Sequence, residues 1–89
     1  MKINKIEPVF VDKIPNVLEE GKLYISEKYK MAIHRCACGC GEETVTPLDE
    51  NGWTLENNNN IVSLSPSIGN FSFKCKSHYF IKENKIIWC

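Results

Sequence analysis

The sequence predicts a small, mainly β fold, one domain over residues 1–89, built of short antiparallel hairpins and clamped at a cysteine cluster. Three observations predict it. Short apolar, β-prone runs alternate with Gly, Pro, Asn and Asp. No stretch keeps a helical period over three turns. Four cysteines, Cys36, Cys38, Cys40 and Cys75, offer a cross-link to a chain whose length supports only a thin core.

Taken in order, residues 5–11 read as a first strand, which Pro8 restricts to a sheet edge or to a later start. Residues 14–21 are expected to hold one helical turn stopped by Gly21. Residues 22–26 and 31–34 are apolar runs joined by Glu27-Lys28-Tyr29-Lys30, a hairpin whose second strand leads into the cysteines. Residues 43–46 form a short strand ended by Pro47. Residues 53–55 and 61–64 flank Glu56 and four asparagines, a second hairpin with a polar turn. Pro66-Ser67-Ile68-Gly69-Asn70 then reads as a shaped loop. A short strand at residues 72–73 and a third hairpin, residues 77–82 and 85–88 about Glu83-Asn84, complete the chain. The aromatics Phe10, Tyr24, Trp53, Phe71, Phe73, Phe80 and Trp88 lie in or beside these strands and are assigned to the core.

Cys36, Cys38 and Cys40 stand at every second position, with glycine after two of them. An extended strand would space their thiols by roughly 6.5–7 Å. Ligands of one zinc ion, with Zn–S bonds of about 2.3 Å, sit under about 4 Å apart. Gly39 and Gly41 resolve the conflict by taking φ > 0 and curling the segment around a metal. With Cys75 the set becomes a closed Cys₄ zinc site, structural in type because no ligand position stays open. His34 is an alternative ligand, giving Cys₃His, and the terminal Cys89 is left out. Disulfides are disfavoured: the chain opens MKINKIEP with no apolar signal segment, which points to a reducing cytoplasm, and Cys-x-Cys neighbours bridge poorly.

Lysine plus arginine number 11 and aspartate plus glutamate 11, so the net charge is zero, and the lysines are scattered. That excludes the basic patch of a nucleic-acid binder. No apolar run approaches the roughly 20 residues of a membrane span. Proteins or peptides are the expected partners.

From Leu23 to Trp88 the chain resembles a known family. The likeness rests on His34, Cys36-Ala37-Cys38-Gly39-Cys40-Gly41, Thr46-Pro47-Leu48, Trp53, Ser65-Pro66-Ser67-Ile68-Gly69-Asn70 and Cys75-Lys76-Ser77-His78-Tyr79. These motifs are similar to those of the BubE-like family of small zinc-binding proteins from bacterial ubiquitination-like operons. Phe71 and Phe80 depart from it, standing where tryptophan is more usual. The resemblance implies a zinc-stabilised, serine-type peptidase that trims a ubiquitin-like precursor or removes the protein from its targets.

Three functions follow for test. The first is that peptidase. It needs a nucleophile, a base and oxyanion donors, supplied by Ser67 or Ser77, His34 or His78, and the backbone of Ser67, Ile68, Gly69 and Asn70, where Gly69 or Asn70 takes φ > 0. Strand geometry selects Ser77 as nucleophile and His34 as base: if the strands bearing Cys36 and Cys75 pair antiparallel, His34 falls opposite Ser77. Ser67 with His78, on the other face, is the rival pair. Spacing marks none of Glu42, Glu43 or Asp49 as a third member. The second function is a non-catalytic zinc-binding interaction module presenting Tyr79 and Phe80. The third makes the zinc catalytic, with His34 or His78 among its ligands and water at the fourth position.

Overall fold

A computed structural model describes residues 2–89. It contains eight strands and, among the described residues, no helix. The strands are β1 (Glu7–Phe10), β2 (Lys22–Ser26), β3 (Met31–Arg35), β4 (Glu43–Pro47), β5 (Thr54–Asn58), β6 (Ile61–Gly69), β7 (His78–Lys82) and β8 (Lys85–Trp88). They form two four-stranded sheets in sequence order, β1 to β4 and β5 to β8. Inward residues of both sheets make one core: Leu23, Ile25 and Ala32 from the first meet Val62, Leu64, Ile68, Tyr79, Ile81 and Ile86 from the second.

Pairing is antiparallel throughout except between β1 and β2, which run parallel. That exception explains why residues 14–21 hold no helical turn. A parallel pair needs a crossover rather than a hairpin. The segment between β1 and β2 supplies it in irregular form, with Gly21 turning the chain at φ +81°. Its carbonyls are anchored on the sheet, where Ser26 Oγ donates to Asp12 O (2.9 Å) and Arg35 Nε to Leu18 O (2.7 Å). Leu18, 3% exposed, is buried there, so β2 carries buried residues on both faces. Pro8 sits in β1, an edge strand, as its missing N–H requires.

Two hairpins of the second sheet turn on two residues with positive φ, Asn59-Asn60 and Glu83-Asn84, as the twist of flanking strands demands. Asn84 ties them together: its Oδ1 accepts from Val62 N (2.8 Å) and its Nδ2 donates to Asn60 O (3.0 Å).

The segment read as a loop at Pro66–Asn70 is instead the last part of β6, up to Gly69. Between the pairs Leu64↔Ile81 and Ile68↔Tyr79 the register shifts, four positions along β6 being matched by two along β7. Pro66 lies in that bulge, the place where a strand tolerates a residue without a donor. Neither Gly69 nor Asn70 has positive φ, so the expected nest of N–H groups does not form. Residues 72–73, expected as a strand, belong to the turns linking β6 to β7, where Phe73 N donates to Asn70 O and Lys76 N to Phe73 O (both 3.1 Å).

Of the aromatics assigned to the core, Tyr24 is buried and Trp53, Phe73 and Trp88 pack against the core's edge. Phe10, Phe71 and Phe80 are exposed. Tyr79, expected on a surface patch beside Phe80, is the largest fully buried side chain. Successive strand residues point to opposite faces, so Tyr79 and Phe80 cannot both face outward.

Candidate functional site

The cysteine turn follows β3 in the first sheet, and Cys75 precedes β7 in the second. Gly39 (φ +87°) and Gly41 (φ +88°) supply the curl, closed by hydrogen bonds from Gly39 N to Cys36 O (3.1 Å) and Cys36 N to Glu42 O (2.8 Å). The Sγ atoms of Cys36, Cys38, Cys40 and Cys75 all lie within 4.8 Å of one another. Cys36 Sγ stands 3.5 Å from Cys38 Sγ and 3.7 Å from Cys75 Sγ. A tetrahedron with bonds of about 2.3 Å has edges of about 3.8 Å, so the four cysteines are close enough to hold one metal ion. Cys89 is exposed and outside the set.

The thiols already sit in unequal fields. The Ser77 hydroxyl holds Cys75 down to about 6, while burial pushes Cys38 up to about 12. Ser77 Oγ lies 3.0 Å from Cys36 Sγ, 3.5 Å from Cys75 Sγ and 3.0 Å from Asn70 Nδ2. It accepts from the amide, and against thiolate ligands its own proton is available to a sulfur, which would stabilise the ligand from behind.

His34 takes no part in this. It lies on β3, paired with Leu23 and Thr44, whereas Ser77 precedes β7 in the other sheet. The pairing that would set His34 opposite Ser77 is therefore absent; the two strands face each other across the core rather than lie side by side. His34 Nε2 is 2.7 Å from Tyr79 Oη. That oxygen also accepts from Ala37 N (3.3 Å) and Asn70 Nδ2 (3.4 Å), while His34 Nδ1 is buried without a partner. Burial lowers its pKa to about 4, so it stays neutral. Asn70 Oδ1 completes the network by accepting from Thr44 Oγ1 (3.2 Å).

A different serine and histidine meet on the outer face of the second sheet. Ser67 Oγ is 2.9 Å from His78 Nε2. Both are half-buried, unlike His34 and Ser77, which are enclosed. The bulge in β6 makes this contact, since it shifts Ser67 along β7 toward the Gly69↔His78 pair. Phe71 packs edge-on to the His78 ring, centroids 5.4 Å apart. Ile68, between the outward Ser67 and Gly69, points into the core. Asn70 N donates to Ser77 O (2.8 Å) and is not free as an oxyanion donor. Glu42, Glu43 and Asp49 make no hydrogen bond to His78; Glu42 O caps the cysteine turn and Asp49 Oδ1 accepts from Asn51 N (3.0 Å).

Residues 10–89 match the family described as bacterial ubiquitination-like system serine protease (BubE). The chain belongs to that family. Searches of curated proteins and of solved structures return no match. Membership in the BubE family places the protein among serine proteases of a bacterial ubiquitination-like system. No helix is long and apolar enough to cross a membrane among the described residues.

Reading the chain placed Tyr79 on a surface patch and Phe71 in the core as a departure from the family pattern; the contacts of Tyr79 to His34 and of Phe71 to His78 come only from the fold.

Proposed function

We propose that this protein is a serine peptidase that trims or removes a ubiquitin-like protein in the cytoplasm, with Ser67 as nucleophile and His78 as general base. The observation that carries this is the 2.9 Å contact between Ser67 Oγ and His78 Nε2 on an accessible sheet face. A hydroxyl at this distance passes its proton to the imidazole as Oγ attacks a carbonyl carbon. His78 then returns the proton to the departing amine, and water completes the cycle by the same exchange. His34 and Ser77, the pair selected by strand geometry, are each engaged elsewhere, His34 with Tyr79 and Ser77 with the cysteine sulfurs.

Cys36, Cys38, Cys40 and Cys75 would hold zinc, since an all-thiolate set of four suits that ion. Its contribution is structural, joining the end of β3 to the segment before β7. Both histidines face away from the ligand set, His34 toward Tyr79 and His78 toward Ser67, which supports a Cys₄ rather than a catalytic site.

The test is incubation of the purified protein with a ubiquitin-like precursor bearing a C-terminal extension, read by mass spectrometry. A shortened product that disappears with Ser67→Ala and with His78→Ala supports the reading. A precursor left intact by the metal-loaded protein, but bound by it, turns the assignment toward an interaction module using exposed Phe80 and Ile87.

A further inference from the structure

In a Ser–His–Asp site a carboxylate orients the imidazole. Among the described residues no carboxylate pairs with His78, whose side-chain hydrogen bond is the one to Ser67. One hydrogen bond at Nε2 leaves the ring free to swing about that atom, so a second contact must set its plane. Phe71 makes it, edge to face at 5.4 Å and 60°. Phe71 is 62% exposed, so burial does not hold it there. What seats it is Gly69: a Cβ on that residue would stand 2.4 Å from Phe71 Cε2, 3.0 Å from Cδ2 and 3.1 Å from Cζ. Gly69 has no positive φ, so its backbone conformation suits alanine, and the nearest atoms an added Cβ would meet are those of the ring.

We propose that Phe71, seated in the notch left by Gly69, is the positioning residue that orients His78 toward Ser67 in place of a triad carboxylate. It touches the base and not the reacting atoms. The inference rests on the assignment of Ser67 and His78 as the reacting pair.

The experiment compares wild type, Phe71→Ala, Phe71→Trp, Gly69→Ala and the Gly69→Ala/Phe71→Ala double variant, all metal-loaded. One readout is the rate at which a small fluorophosphonate labels Ser67. Another is kcat and KM on the extended precursor. A third is the long-range ¹H–¹⁵N spectrum of His78. An edge-to-face contact predicts that Phe71→Ala labels about 3- to 10-fold more slowly, with kcat reduced and KM unchanged. Phe71→Trp restores the rate, Gly69→Ala behaves as Phe71→Ala, and the double variant is no slower than either. Wild type and Phe71→Trp show one ordered His78 tautomer, and Phe71→Ala shows averaging between the two.

A Phe71→Ala protein labelled at the wild-type rate overturns the proposal, as does one whose only change is a raised KM, which would make Phe71 a substrate contact. If wild type is not labelled at all, the Ser67 assignment fails. The His78 spectrum then still decides whether Phe71 orients the ring, and an unchanged spectrum in Phe71→Ala refutes it.

Discussion

Replacing Cys75 by serine removes the one ligand that the second sheet contributes to the metal. Three ligands from the cysteine turn remain, so the variant still captures metal at excess concentration, but the ion no longer joins the two halves of the core. Cys36 and Cys75 are 39 positions apart. Closing a loop of that length restricts the unfolded chain by roughly 4 kcal/mol on the chain-entropy relation for cross-links. For a domain of this size, each kcal/mol moves the thermal midpoint by about 5 °C. Cys75→Ser should therefore unfold about 20 °C below the zinc-loaded wild type, and a chelator should bring wild type to a similar or lower midpoint. Circular dichroism melts at matched zinc, with metal content by elemental analysis, measure both. A variant that keeps one equivalent of zinc and melts within about 5 °C of wild type would refute the inter-sheet staple.

Ser67→Ala and His78→Ala should each lower cleavage by about 10³-fold or more while zinc content and melting midpoint stay unchanged. Ser77→Ala should cleave as wild type yet lose about 1–3 kcal/mol of stability in urea titrations, because Asn70 Nδ2 and the Cys36 sulfur both lose a partner. Tyr79→Phe should cost a similar amount with metal still bound, since it strands His34 Nε2 and Ala37 N–H in the core; a neutral effect would refute the network. Gly41→Ala should cost about 1–2 kcal/mol through its φ of +88° alone, because nothing lies within 4 Å of an added Cβ. The same denaturant series reads that cost, and Asn in place of Ala should recover part of it.

What the sequence determined by itself was local. The turns of two hairpins, read at residues 56–60 and 83–84 and found at Asn59-Asn60 and Glu83-Asn84, the edge placement of a strand containing Pro8, and the curl of the cysteines on Gly39 and Gly41 each depend on a few neighbouring residues. Those residues' φ preferences and missing donors are legible without a fold. The cysteine set was legible too, because four thiols in a short chain have few other uses.

Only the tertiary structure decided which serine meets which histidine. Alternation along a strand was expected to put Cys75, Ser77 and Tyr79 on one face, but β7 begins only at His78 and Lys76 turns the chain with φ +47°. Nor can alternation say whether two strands lie side by side or in opposing sheets. Placing β3 and β7 in different sheets gave His34 to Tyr79 and left Ser77 to the sulfurs. The bulge then carried Ser67 to His78. Strand order and register arise from burying both inner faces at once, a condition on the whole chain that no single segment contains.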